Sequence, residues 1–454
     1  MRRKPVFPRF LLLCLLYCLV LLVILVVQFT GVKNTSAEVT NETPAQAAFN
    51  PKNFIITQAQ NSRDYTVALS RWQDGNFIVW NRLISQQNDE DLVIAFAEES
   101  LNRSVYGSAV TAINKTFLDG NRRTYESSVF LGSLDQAYKS LISIDQEKLN
   151  RITGLIKSKS GDFLLEYGAL DYLYSRGQNS LADEGLNLVN TVKPEDLTLE
   201  KIPAIIQGYV SRLRMDSAAA NPFDRLMDAA MQITGESLRI NQDKTRVFAV
   251  KDNYMDTVLN IRLGRNLLDL AVYANDEAWA GIARSIILSV LSLESYTGTI
   301  KAGYQISAEG AVTEDPAAAA LSTGLLYRIL NLGEYIPRAV ALGASPNSGA
   351  ANLPGSGQTG ANPVYIWTAG KDVNVSTNNN IIDISLNFPV GETHYVMVRG
   401  LKPFLKVQLY GVDFRSDPQF ERYDSSGWSY RAPEQTLLVK MKHRTAEEHI
   451  KIFY

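Results

Sequence analysis

Cysteine is absent from everything beyond residue 18, and histidine from everything before residue 394. Cys14 and Cys18 sit inside one apolar run; the histidines are His394, His443 and His449. The long middle of the chain therefore has no thiolate nucleophile, no disulfide and no imidazole base. Chemistry there is limited to carboxylates, Tyr, Lys, Ser or a metal held by oxygen alone. A chain of this length without disulfides must be stable through packing, which favours a bacterial periplasm over a eukaryotic secretory route for any exported part. No P-loop, GxGxxG fingerprint, GxSxG elbow or EF-hand loop occurs, which weighs against nucleotide and lipase-type functions.

Basic charge is also scarce. Against 47 Asp+Glu stand 45 Lys+Arg, and setting aside Arg2, Arg3, Lys4 and Arg9 leaves 41, a net of −6 on the rest. Nucleic-acid binding needs clustered Lys and Arg, so no nucleic-acid partner is expected. The sequence implies no cofactor and no metal. His443 and His449 do not form the H-E-x-x-H zinc arrangement and are expected at the ends of strands flanking a tight turn.

What is present begins with FLLLCLLYCLVLLVILVV, Phe10–Val27, which carries no charge, Gly or Pro. At about 1.5 Å per residue the run covers roughly 27 Å, close to the ~30 Å hydrocarbon thickness of a bilayer. The flank MRRKPVFPR is basic and the following GVKNTSAEVTNET nearly neutral, so the positive-inside rule places the N-terminus in the cytoplasm. A cleaved signal peptide has a shorter apolar core of about 7–15 residues closed by a small-residue site. The nearest such site, Thr35-Ser36-Ala37, lies well past Val27. An uncleaved single-pass anchor follows, with the remainder facing the periplasm from a bacterial inner membrane.

Beyond the anchor the hydrophobic period changes once. Helical spacing dominates to about Leu342. DQEKLNRITGLIK, from Asp145 as N-cap, puts Leu149, Ile152 and Ile156 on one face. Ser180–Asp183 resembles a capping box, and Asn221-Pro222 and Asp315-Pro316 read as helix starts. Two helices are expected over Asn253–Ala274 and Asp276–Leu293, joined at Asn275-Asp276. TRVFAV, Thr245–Val250, is a strand candidate, and Tyr65–Trp80 reads as either a hairpin or two helices. No fixed-period repeat stands out. Gly343–Ala361 is rich in Gly, Ser and Ala and uncharged. After it the period becomes two: Ile382, Ile384, Leu386 and Phe388 share one face, and Leu405, Val407 and Leu409 another.

The expected fold class is α+β multidomain: an N-terminal transmembrane helix, an irregular all-α array of helical hairpins or an α/α toroid, and a C-terminal antiparallel β-sandwich. The expected layout is a cytoplasmic N-terminus at 1–9, an anchor at 10–29 and a flexible spacer at 30–50. A mainly α-helical domain follows at 51–342, a linker or loop at 343–361 and the sandwich at 362–454.

Candidate site residues lie in DFRSDPQFERYDSSGWSYR, Asp413–Arg431. Aromatic faces stack on sugar C–H surfaces while nearby charges bond hydroxyls, so Phe414, Arg415, Phe420, Tyr423, Trp428 and Tyr430 are the expected glycan- or partner-binding set. Such rings also cover core ends. Carboxylates for catalysis are sought at Asp162 with Glu166, at Asp252 with Asp256, and at Glu309, Glu314 and Asp315, since glycoside cleavage needs two acids about 5–10 Å apart. The expected function is a membrane-tethered extracytoplasmic binding or scaffold protein engaging an envelope protein or glycan. The alternative is a carbohydrate-active enzyme, a polysaccharide lyase or glycosidase with a helical toroid and an accessory β-sandwich.

Overall fold

The structure, a computed structural model, describes residues 90–102, 106–107, 125–215, 219–294, 299–330, 333–342, 363–378 and 380–454. The expected anchor, the spacer, Tyr65–Trp80 and Gly343–Ala361 lie outside the described residues. Among the described residues no helix is long and apolar enough to cross a membrane. These residues form an α+β fold: helices with several antiparallel sheets, strand-rich toward the C-terminus.

The helices are α1 (Glu90–Asn102), α2 (Tyr125–Leu131), α3 (Leu134–Lys157), α4 (Ala169–Ser175), α5 (Asn179–Val189), α6 (Ile202–Met215), α7 (Asp224–Ser237), α8 (Thr257–Ala274), α9 (Glu277–Leu291) and α10 (Thr323–Leu330). Short strands interrupt them: β1 (Leu238–Ile240), β2 (Val247–Ala249), β3 (Tyr254–Asp256), β4 (Thr299–Lys301), β5 (Gly303–Ile306), β6 (Val312–Glu314) and β7 (Ala320–Ser322). They pair as β1–β2, β3–β5–β6 and β4–β7. The stretch to Leu342 is thus mixed: the strand expected within Thr245–Val250 is β2, while the other short strands interrupt sequence whose spacing predicts helices.

Helix starts illustrate what local signals do and do not set. α8 and α9 begin where side chains cap them: Asp256 accepts the Leu259 N–H at 2.7 Å, and Asp276 accepts those of Ala278 and Trp279 at 3.0 and 3.2 Å. Asn275 adopts φ 52° and ends α8, so the expected hairpin turn stands. Two other starts are corrected. Asp315 accepts the Ala317 N–H in a turn, and Ala320, the last of the alanines after Pro316, opens β7, which pairs with β4, before α10 begins at Thr323. Ser180 lies inside α5, and Asp183 accepts the Tyr174 hydroxyl at 3.4 Å.

A third correction bears on function. α3 starts not at Asp145 but at Leu134, after Gly132 and Ser133 in the left-handed region. Its first N–H groups are met from afar: the Glu421 carboxylate accepts Leu134 N–H at 3.1 Å and Asp135 N–H at 3.4 Å. Arg431 Nε donates to Asp135 at 2.9 Å. A carboxylate and an ion pair at a helix N-terminus complement its dipole. They also fasten α3 to the strand-rich part.

β2 is completed by a side chain. The Asn260 amide accepts from Ala249 N–H at 2.7 Å and donates to Ala249 C=O at 2.8 Å, so one buried asparagine replaces a neighbouring strand. Asn260→Ala leaves both main-chain groups buried and unpaired. A loss of about 2–4 kcal/mol is expected in urea unfolding of the full chain; a loss below about 0.5 kcal/mol would contradict this role.

The C-terminal part contains β8 (Arg338–Ala341), β9 (Tyr365–Thr368), β10 (Lys371–Asn378), β11 (Ile381–Asn387), β12 (Thr393–Arg399), β13 (Lys406–Leu409), β14 (Val412–Phe414), β15 (Gly427–Arg431), β16 (Thr436–Lys442) and β17 (Glu447–Phe453). They form two five-stranded sheets, ordered β10-β11-β17-β13-β14 and β15-β16-β12-β9-β8. Ile382, Ile384 and Leu386 from the first meet Val396, Val398, Val439 and Met441 from the second in one buried cluster. The other face of the second sheet supplies Tyr365, Trp367, Met397 and Leu438 to a cluster shared with α1, α2 and α3. Both faces of β9 and β16 are buried, which is why YIWT and TLLVKM run apolar while NIIDISLNF alternates. β8 pairs with β9, so this sheet takes its edge strand from before Gly343–Ala361. Leu405 departs from its expected face: it precedes β13 and is 81% exposed.

Candidate ligand cleft

The six aromatic-loop residues do not assemble into one open platform. Phe420 is buried with the α1–α3 cluster, and Trp428 is buried between the two sheets with its indole N–H on Phe414 C=O at 2.8 Å. Tyr430 is half-buried against Phe404 and donates to Leu401 C=O at 2.6 Å. Phe414 is half-buried beside Tyr410. Tyr423 and Arg415 face solvent.

The catalytic candidates are mostly engaged elsewhere. Glu166 pairs with Arg151, Asp256 caps α8, Glu309 accepts from Ser307 at 2.9 Å, and Asp315 closes a turn. Asp252 and Asp256 face one cleft, while Glu314 is exposed on β6. His443 is buried, whereas His449 is exposed and bonded to Asp383 at 2.8 Å. Among the described residues no group of three or more His, Asp or Glu is arranged to hold a metal ion.

A different constellation emerges where α3 and α4 meet the second sheet. Asp145 lies on the inward stripe of α3, and its side chain is 13% exposed. It pairs with Arg176, which follows α4 and is 11% exposed, Nε to Oδ1 at 2.9 Å. The Tyr365 hydroxyl of β9 donates to Asp145 Oδ2. The Tyr172 hydroxyl donates to Asp145 C=O at 2.8 Å, with Oδ1 at 3.3 Å. The Arg176 guanidinium lies 4.0 Å from the Tyr172 ring centroid and within 5.8 Å of those of Tyr365 and Trp367. Lys148 sits 4.6 Å from the Tyr172 centroid.

Burial, reinforced by the Asp145 carboxylate, raises the pKa values of both Tyr365 and Tyr172, so both hydroxyls stay protonated donors. Burial lowers that of Lys148, and Arg176 adds to the effect. The cluster opens onto a cleft of about 390 Å³ lined also by Gln146, Gln178, Arg399, Glu434 and Gln435. Arg399 reaches Thr436 Oγ1 at 3.4 Å, but its Nε is buried without a hydrogen-bond partner. The cleft therefore joins one closed ion pair to one guanidinium with donor capacity to spare.

This site was half-legible. Leu141, Asp145, Leu149, Ile152 and Ile156 share one helical stripe, and an acid on an apolar stripe signals a buried partner. Asp is also a favoured N-cap residue, so the local signal at Asp145 is ambiguous. Comparison with models of protein families finds no match to this chain, and comparison with curated proteins finds none either.

Proposed function

We propose that the chain is a single-pass, membrane-tethered extracytoplasmic binding protein, and that the cleft between α3, α4 and the second sheet takes a carboxylate-bearing glycan. In this reading Phe10–Val27 holds the protein at a bacterial inner membrane and the following residues space it into the periplasm. The two five-stranded sheets act as a β-sandwich, which with an irregular array of helical hairpins frames the cleft.

The observation that carries the reading is Arg399. Arg399 lines the cleft together with the planar polar side chains Gln146, Gln178, Glu434 and Gln435, and its buried Nε has no hydrogen-bond partner. A guanidinium fork matches a carboxylate, and amide side chains match sugar hydroxyls in pairs. Binding is favoured over turnover because the Asp145 oxygens are already occupied by Arg176 and Tyr365, leaving that acid a post rather than a proton donor.

The test is a glycan array probed with the full chain in detergent. Uronate-containing oligosaccharides are expected to bind in preference to neutral ones. Arg399→Gln is expected to weaken binding roughly 10- to 100-fold with unchanged thermal unfolding. Equal binding of neutral and acidic glycans, or an unaffected R399Q variant, rejects the assignment.

A further inference from the structure

We infer that a second cleft, formed by α6, α8 and the turn between β2 and β3, binds a zwitterionic short peptide with apolar side chains. It encloses about 510 Å³, within the range of about 300–1,000 Å³ typical of small-molecule sites. Leu164, Leu199, Pro203, Ala204, Val258 and Leu259 give it largely apolar walls.

Its charges are few and separable. Lys251 and Glu200 neutralise one another at 2.5 Å on the rim. That leaves Arg262 of one sign and Asp252 with Asp256 of the other. Arg262 lies 4.3 Å from the Tyr167 ring centroid, and its Nε is buried without a hydrogen-bond partner. No ion pair to Arg262 occurs among the described residues. The Tyr167 hydroxyl is itself held by Asn266 at 3.1 Å, so the ring under the guanidinium is fixed.

Opposite charge is presented by the turn between β2 and β3. Asp252 and Asn253 both take positive φ, 50° and 61°, forming a two-residue turn in which Lys251 and Tyr254 exchange main-chain hydrogen bonds at 3.0 and 2.8 Å. The turn is anchored on β5, since Ile306 N–H donates to Asn253 C=O at 2.8 Å. A carboxylate suits Arg262, an ammonium suits Asp252, and aliphatic side chains suit the walls between. A fatty acid satisfies only the first and third of these. The acidic residues disfavour it.

The experiment is titration of the full chain in detergent with leucyl-leucine, its C-terminal amide and its N-acetyl derivative, followed by calorimetry. Leucyl-leucine is expected to bind, and amidation to weaken it roughly 10- to 100-fold. Arg262→Gln is expected to cause a similar loss and to erase the difference between acid and amide. Asp252→Asn should likewise erase the effect of acetylation. The ligand-side blocks need no variant to fold, so they decide the matter even if R262Q is unstable. Absence of binding at millimolar dipeptide overturns the inference, as does equal binding of the blocked forms.

Discussion

Asp145→Ala is expected to destabilise the chain by about 3–5 kcal/mol, because it leaves the Arg176 charge buried with no counter-ion. Both side chains are under one-seventh exposed, so water compensates little. The Tyr365 hydroxyl loses its acceptor in the same step, while that of Tyr172 keeps the main-chain carbonyl. Removing both ionic partners should cost far less than removing one. The double variant Asp145→Leu with Arg176→Met is expected to recover more than half of the single variant's loss, a coupling readable in a urea double-mutant cycle. Similar costs for D145A and the double variant would show that the pair contributes little beyond the packing of its neighbours.

Acidification from pH 7 to 5 is expected to lower stability steeply through His394 and His443. His394 is fully buried, its ring stacked on Phe388 at 4.4 Å, with Thr368 Oγ1 2.7 Å from Nε2. His443 is also buried, its ring 5.5 Å from that of His394. Burial lowers both pKa values below their ordinary value; His443 and Arg338 add to the effect on His394, while Glu448 opposes it on His443. Below about pH 6.5 the unfolded chain takes up protons that the folded chain refuses, so stability is whole above that value and falls as pH drops toward the folded pKa values. The slope approaches roughly 1.4 kcal/mol per pH unit for each histidine. Melting temperature against pH measures it. His394→Phe should flatten the curve whatever it does to stability at pH 7. An unchanged slope in that variant would mean that other groups carry the acid sensitivity.

The C-terminal strands and the paired helices α8 and α9 are legible because their signals are short-range. Ile382, Ile384 and Leu386 alternate against Asp383 and Ser385 on a strand with one buried face, and Asp276 caps the helix that follows it directly. The helix starts that depart from their local signals have the opposite cause. The residues after Asp315-Pro316 have helical propensity, yet pairing with β4 takes Ala320–Ser322 as strand. α3 begins eleven residues before its apparent cap, because a carboxylate from Glu421, 287 positions away, meets its N-terminus.

The candidate sites divide along the same line. Aromatic density in Asp413–Arg431 is visible in the sequence, but spacing does not say which rings face outward; tertiary packing buries Phe420 and Trp428 and leaves Tyr423 exposed. Composition by itself determined that no cysteine lies beyond residue 18 and that imidazole is confined to the last part of the chain. Periodicity by itself determined that the C-terminal part is strand-rich, but not the short strands among the helices before it. Only the tertiary structure decided that Asp145 meets Arg176 and Tyr365, 31 and 220 positions away, since local periodicity describes which face a residue occupies and not what the rest of the chain brings against it.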